Sequence, residues 1–313
     1  MKLVIQIPCL NEESTLPLVL KSVPSRISGV DEIETLVIDD GSTDQTVQIA
    51  RDHGVSQFVV HRRTRGLGRS FHDGIERALQ LGADIVVNTD GDNQYPQDRI
   101  ADLIRPILEG RADIVVADRQ IHTISHFSPF KKFLQRLGSK VVNYVAGTNI
   151  PDAASGFRAY SKEALMQLNT ISRFSYCTES IIQAGDKRLS IVSVPVTTNP
   201  KTRESRLFKS NFEHVLKSAG VIIRAYIMYK PYVIFTSLSL GLLGLGLVPF
   251  VRYLYFAFQG ERGSHLQSLI IGAVLLIGSF LSLMLGILAD LTRTNRILHE
   301  QQLERTKRLR FDT

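Results

Sequence analysis

Two long apolar stretches near the end of this 313-residue chain, Tyr232–Phe258 and Leu266–Leu291, restrict its possible folds more than any other feature. Arg252 is the only charged residue in the first. At about 1.5 Å rise per residue, either stretch coiled as a helix spans the ~30 Å hydrocarbon core of a bilayer. A buried helical hairpin of a soluble domain is the alternative, but such hairpins seldom carry so many consecutive apolar residues. The connector, Gln259-Gly260-Glu261-Arg262-Gly263-Ser264-His265, is too short to be a domain, so a membrane hairpin over residues 231–291 is expected.

Charge sets its orientation. Arg224 and Lys230 precede the hairpin, and Arg293, Arg296, Arg305, Lys307, Arg308 and Arg310 follow it, while the connector carries little net charge. The positive-inside rule then places the N-terminal part and a basic tail (292–313) on the cytoplasmic side of a multi-pass protein of the inner, plasma membrane. The net charge of +7 fits attraction to anionic headgroups, making membrane lipids a partner. Nucleic acid is the competing explanation, but no aromatic-basic recognition motif accompanies the charge, and no nucleic-acid partner is expected. Met1–Pro8 is too short for a signal peptide and reads as a first strand. Cys9 and Cys177 suggest neither a disulfide framework nor a cysteine zinc site.

Upstream of the hairpin, β-type runs alternate with helical patterns. Leu3–Ile7, Thr35–Asp39, Gln57–Val60, Ile85–Asn88 and Ile114–Ala117 read as strands; Leu16–Ser22, Asp44–His53, Gly68–Leu81 and Gln97–Leu108 read as helices. This rhythm predicts an α/β domain over 1–210 with a mainly parallel sheet covered on both faces. Asp44 is expected to cap its helix and Pro96 to start the next. Ser128–Val145 reads as an amphipathic helix in which Lys131, Lys132, Arg136 and Lys140 are interleaved with Phe130, Phe133, Leu134, Leu137, Val141 and Val142, suited to lying on a membrane surface. Asn211–Tyr229 reads as a second, juxtamembrane amphipathic helix (211–230).

Candidate chemistry collects at the predicted strand ends. The strand Ile85–Asn88 runs into Thr89-Asp90-Gly91-Asp92-Asn93-Gln94-Tyr95-Pro96. Carboxylates at the carboxyl end of a parallel strand face the crevice where such sheets bind ligands, and two with spare coordination positions suit Mg²⁺ or Mn²⁺ against substrate phosphates. Four further clusters recur: Pro8-Cys9-Leu10-Asn11-Glu12-Glu13, Asp39-Asp40-Gly41-Ser42-Thr43-Asp44, Arg65-Gly66-Leu67-Gly68-Arg69-Ser70 and Asp152-Ala153-Ala154-Ser155-Gly156-Phe157-Arg158. Each is weak alone, and the glycine-rich stretch lacks the rest of a dinucleotide or Walker fingerprint.

Together and in this order they resemble the family-2 glycosyltransferases of GT-A fold, whose core is a Rossmann-like, mainly parallel sheet. More narrowly, the chain resembles the polyprenyl-phosphate glycosyltransferases, the dolichyl-phosphate mannose synthases and bacterial undecaprenyl-phosphate sugar transferases. The likeness extends through Ser155-Gly156-Phe157-Arg158, Thr202-Arg203-Glu204-Ser205-Arg206-Leu207 and the two apolar stretches. Gly91 stands where the family usually has alanine, and Glu204 where it often has proline.

The resemblance implies an inverting hexosyltransferase with a nucleotide-sugar donor, a UDP-sugar, a polyprenyl phosphate acceptor, undecaprenyl phosphate, and Mg²⁺ or Mn²⁺ as cofactor. Pro8, Asn11, Glu12, Asp39 and Asp40 would line the nucleotide pocket, and Asp90, Asp92 and Gln94 would hold the metal. Arg203 and Arg206 would grip phosphate from a closing loop. Asp92, Asp152 and Arg203 are the expected catalytic residues, with Asp152 either positioning the acceptor or acting as a base. Glu179 would orient groups from a helix. A lipid phosphate is already anionic near neutral pH and needs cations more than a base; Arg119, Lys132, Arg136 and Ser139 are the expected lipid-phosphate contacts. Homo-oligomers, tetramers among them, occur in such relatives. A GDP-mannose-dependent synthase, a processive synthase, a hydroxyl-directed transferase and an inactive membrane scaffold are the alternatives. The missing tryptophan and the single hairpin argue against the processive group.

Overall fold

The structure, a computed structural model, describes residues 1–121, 129–170, 176–200, 220, 223, 226–259 and 266–311. It divides into two compact units, Met1–Ile222 with Gln301–Thr313, and Ile223–Glu300.

The first unit is built on a seven-stranded sheet. Its strands are β1 (Lys2–Cys9), β2 (Glu32–Asp39), β3 (Gln57–Val60), β4 (Ile85–Asn88), β5 (Ile114–Asp118), β6 (Arg158–Ser161) and β7 (Ile191–Pro195), in the order β3-β2-β1-β4-β6-β5-β7. Helices α1 (Leu16–Ser22), α2 (Thr46–Asp52), α3 (Leu67–Gln80) and α4 (Ile100–Leu108) connect the parallel strands, and α5 (Pro129–Ala146), α6 (Lys162–Gln167) and α7 (Tyr176–Asp186) follow. Alternation along β1 explains the two-sided cover. Leu3, Ile5 and Ile7 join the core with Leu16 and Val19 of α1 and Leu103 and Ile104 of α4, while Gln6 points to the face where Gly74 of α3 packs.

All five expected strands form. The sequence pattern announced neither β7, which pairs parallel with β5, nor β6, a short strand between β4 and β5 that runs antiparallel to both. It carries the Ser155–Arg158 loop directly beside the end of β4. Asp44 does not cap α2, which starts at Thr46 behind Gln45. Its Oδ1 accepts from the Thr46 backbone N–H (3.0 Å) and its Oδ2 from that of Glu13 (3.2 Å), tying the first and second loops together. Pro96 does precede a 3₁₀ turn, Gln97–Arg99, that feeds α4.

In the second unit α8 (Pro231–Phe258) and the long α9 (Leu266–Phe311, whose last turns belong to the first unit) are long and apolar enough to cross a membrane. Small and hydroxyl residues join them: Ser279 Oγ donates to the Ser239 carbonyl (2.8 Å) and Ser282 Oγ to that of Phe235 (2.9 Å). α9 runs past the expected boundary at Leu291 because no glycine or proline follows Gly286 and because Arg296–Glu300 and Glu304–Arg308 pair at helical spacing. The expected juxtamembrane helix lies mostly outside the described residues.

The basic tail residues are not simply turned to lipid. Arg296 stacks 4.6 Å over the Tyr229 ring and pairs with Glu300. In the first unit Lys307 Nζ donates to the carbonyls of Leu165 (3.2 Å) and Leu168 (2.7 Å), closing the end of α6, and Arg308 pairs with Glu163.

Candidate active site

The carboxyl edge of β1, β2 and β4 brings the sequence motifs together. β4 is fully buried and ends at Asn88, after which the chain turns through Asp90, Gly91 and Asp92. Asn93 takes a left-handed φ of 60°, and Asp92 Oδ1 accepts from the Gln94 N–H (3.1 Å), which tightens the turn. Gly91 is buried against the end of β1: a Cβ there would lie 2.9 Å from Cys9 Sγ and 3.3 Å from Glu12 Cγ. A side chain at position 91 would therefore displace the Cys9 sulfur, which occupies the space.

A second wall comes from the loop before β6. Gly156 faces Asp90 so closely that a Cβ would meet its Oδ2 at 3.2 Å. Its backbone is held on both sides. Its N–H donates to Tyr95 Oη (3.0 Å), and its carbonyl accepts from Asn88 Nδ2 (3.0 Å) and Tyr176 Oη (2.9 Å). Arg158, fully buried, donates to the carbonyls of Ser155 (2.7 Å), Ala153 (2.8 Å) and Cys177 (2.8 Å) and to Ser180 Oγ (2.9 Å). The loop is irregular and buried, so a guanidinium supplies the donors its carbonyls need. Burial, reinforced by the charge of Asp90, pushes the Tyr176 phenol well above its ordinary range and the Tyr95 phenol and Cys177 thiol upward.

The residues expected at the nucleotide pocket fall along the same edge. Pro8 lies in β1 opposite Ile38. Asn11, with φ of 57°, accepts the Thr43 N–H on Oδ1 (2.8 Å), and Glu12 accepts the Thr15 hydroxyl on Oε2 (2.7 Å). Asp39 turns inward, its carboxylate accepting the Ser42 N–H (3.1 Å). Asp40 is 5% exposed and accepts from His61 Nδ1 (2.7 Å) and from the N–H groups of Arg65 (2.8 Å) and Gly66 (2.9 Å).

Beyond β5, Arg119 and Asp152 form a bidentate pair, Nε to Oδ2 at 2.6 Å and Nη2 to Oδ1 at 2.9 Å. Asp152 is wholly buried and the Arg119 side chain 13% exposed. Asp152 therefore stands as the counter-charge of Arg119, each of its oxygens accepting from the guanidinium. Desolvation is the largest influence on Arg119 and opposes its charge, yet the Asp152 carboxylate and the Tyr95 phenol together raise the arginine's pKa. Ser139 of α5 accepts the Ala153 N–H (3.1 Å), so it touches the same loop. Lys132 is half-buried and Arg136 exposed on α5. That helix shows solvent an apolar stripe, Phe130, Phe133, Leu137, Val141 and Tyr144. Glu179 is buried on α7 beside Gln183 (3.4 Å). Arg203 and Arg206 lie outside the described residues.

Sequence reasoning gave no role to Asn88, Tyr95, Tyr176, Arg158, His61 and Asp73. Asn88 left a signal as an amide ending an otherwise apolar strand, and Tyr95 and Arg158 fell inside the quoted motifs; Tyr176, His61 and Asp73 converge through tertiary contacts alone. Two carboxylates and an amide are hard oxygen donors of the kind that suits Mg²⁺ or Mn²⁺, and the missing Cβ of Gly156 leaves the Asp90 carboxylate uncrowded. The residues present fit such an ion. His72, Asp73 and Glu76 of α3 form another cluster, but Asp73 is committed to His61, Arg65 and Arg69.

The chain is 30% identical over 214 residues to the UDP-N-acetylglucosamine–dolichyl-phosphate N-acetylglucosaminyltransferase of Methanococcus voltae, covering 61% of this chain and 83% of the relative. It is 26% identical over 222 residues to the polyprenol monophosphomannose synthase of Mycolicibacterium smegmatis, covering 67% and 82%. The structure superposes with a TM-score of 0.55 on glucosyl-3-phosphoglycerate synthase from Mycobacterium tuberculosis, crystallised with Mn²⁺, UDP and phosphoglyceric acid, at 20% identity over 72% of this chain and 77% of that one. That likeness shows a shared fold, the GT-A arrangement. The family model for glycosyl transferase family 2 matches residues 4–168, from β1 to just past α6, and takes in Asp40, Asp90, Asp92 and Gln94. The chain thus belongs to glycosyl transferase family 2 and is a glycosyltransferase.

Proposed function

We propose that this enzyme moves one sugar from a nucleotide-diphosphate sugar, a UDP-sugar, to a polyprenyl phosphate, undecaprenyl phosphate, at the cytoplasmic membrane face with inversion. The observation that carries the reading is the turn Asp90–Asp92, set at the carboxyl edge of the sheet between the β1 loop and the Gly156 wall. The names of the relatives support a polyprenyl phosphate acceptor, and the UDP and Mn²⁺ bound by the structural neighbour support the donor class. A phosphate oxygen of the lipid forms the new bond to the anomeric carbon as the bond from that carbon to the diphosphate breaks. The electron pair leaves with the nucleoside diphosphate.

Asp90, Asp92 and Gln94 are the residues that would hold Mg²⁺ or Mn²⁺. When bound, the ion supplies charge stabilisation for the departing diphosphate. Pro8, Asn11, Glu12, Asp39 and Asp40 form the nucleotide side, with Asp40 facing a base N–H. Arg119, held rigid by Asp152, and Ser139, Lys132 and Arg136 on α5 receive the lipid phosphate, while Arg203 and Arg206 close on the donor. The apolar stripe of α5 beside basic residues suits a helix lying in the headgroup layer, and α8 and α9 suit an anchor. Domains then run 1–210 for catalysis, 211–230 for the juxtamembrane helix, 231–291 for the hairpin and 292–313 for the tail.

The test is purified full-length enzyme in detergent with undecaprenyl phosphate, Mn²⁺ and radiolabelled UDP-glucose, UDP-N-acetylglucosamine and GDP-mannose. Lipid-extractable label is expected with a UDP-sugar and lost in excess EDTA. Label only from GDP-mannose moves the enzyme to the mannose synthases, and no label from any donor refutes the reading.

A further inference from the structure

His61 closes β3 and is almost completely buried, yet no sequence motif singles it out. Its Nδ1 lies 2.7 Å from Asp40 Oδ1 and its Nε2 3.0 Å from Asp73 Oδ2. Asp40 Oδ1 is an acceptor, so Nδ1 carries the ring hydrogen that it donates there. Asp73 is itself fixed from its own helix: Arg69 Nε donates to Oδ2 (3.0 Å), and Arg69 Nη2 pairs with Oδ1 (2.8 Å). The imidazole is thereby locked in one orientation against Asp40.

The consequence lies in the acceptor capacity of Asp40. Each carboxylate oxygen offers two lone pairs. On Oδ1 they receive His61 Nδ1 and the Arg65 N–H; on Oδ2 one receives the Gly66 N–H. One acceptor position remains, on Oδ2. Uracil presents a single ring N–H between two carbonyls, which one acceptor satisfies. Guanine presents an N–H and an adjacent amino group, and one of these donors would stay unpaired in a buried site. We propose that His61, braced by Asp73, is a positioning residue that selects the donor nucleobase: by occupying Oδ1 it leaves Asp40 able to satisfy uracil and unable to satisfy guanine. This rests on the reading of Asp40 as a wall of the nucleotide pocket.

The experiment measures UDP and GDP binding by calorimetry, with Mn²⁺, on the full chain in detergent. Wild type is expected to favour UDP by about tenfold or more, the scale set by one buried unpaired donor. His61→Ala and the space-filling His61→Leu free the Oδ1 position, and the UDP:GDP ratio should fall about tenfold through tighter GDP binding. His61→Asn keeps an N–H donor where Nδ1 stood and should hold the wild-type ratio, so it also stands in if both apolar variants fail to fold: a ratio that collapses with a donor still in place overturns the proposal. An unchanged ratio in a folded His61→Ala or His61→Leu, with only the melting temperature lowered, makes His61 a structural residue and likewise overturns it. Wild-type preference for GDP refutes base selection while leaving the glycosyltransferase reading intact. Wild type that binds neither nucleotide refutes both.

Discussion

Asp152→Asn separates a clamp from a base. The pair it breaks is desolvated, Asp152 wholly buried and the Arg119 side chain 13% exposed, so the surface-pair scale of under ~1 kcal/mol does not apply. Removing one partner of a buried pair costs about 3–5 kcal/mol, because the other charge is left uncompensated. Asparagine keeps one oxygen, able to retain one of the two bonds at 2.6 and 2.9 Å, which puts the expected loss near the lower end, ~3 kcal/mol. For a unit of this size that is a fall of about 6–12 °C in melting temperature. Thermal unfolding of the full chain followed by tyrosine fluorescence, undisturbed by tryptophan, measures it. The apolar double substitution Arg119→Met with Asp152→Leu should regain most of that loss while abolishing turnover, since a well-packed apolar pair replaces a buried ion pair at little net cost. A shift under about 2 °C for Asp152→Asn with turnover lost would refute the clamp and restore Asp152 as a base.

Gly91→Ala should weaken Mn²⁺ binding in calorimetry, because the added methyl meets Cys9 Sγ at 2.9 Å, and Cys9→Ala in the same chain should restore it; additive losses would show that the two do not share that space. Arg158→Lys loses the forked donors that serve four acceptors and should lower stability by about 3 kcal/mol or more, read as a fall in melting temperature or in soluble yield. Burial raises the folded-state pKa of Cys9, Cys177, Tyr95, Tyr160 and Tyr176. The unfolded chain therefore releases those protons first, and this stability is intact below the ordinary thiol range and lost as pH rises through 9 and 10. Melting temperatures should be level from pH 7 to about 8.5 and fall above it, with Cys9 and Cys177 resisting alkylation until unfolding; thiols that react in the native state at pH 8 would contradict this.

Much of the architecture was legible because it rests on periodicity, a local property. Five strands, four helices of the α/β layer, α5 and both apolar helices followed from alternation, helical spacing and run length. β6 was not legible: Arg158-Ala159-Tyr160-Ser161 is short and becomes a strand only because β4 and β5 leave a slot between them. The start of α2 was misplaced because Asp44 had two uses, a cap or a bridge between loops, and only the position of Glu13 decides between them.

The candidate site divides in the same way. Asp90, Asp92 and Gln94 were readable as a unit because their spacing in the chain is their spacing in the turn. The partners of those residues were not, since Gly156, Tyr176 and Cys9 reach them from elsewhere in the chain. By itself the sequence determined the α/β layer, the apolar helices and the presence of a carboxylate turn at a strand end. Tertiary structure alone decided that Asp152 is the counter-charge of Arg119, that Arg158 staples a loop, and that His61 stands between Asp40 and Asp73. The physical reason is that a side chain's chemistry is set by which donors and acceptors surround it, and folding brings those from positions that no local pattern connects.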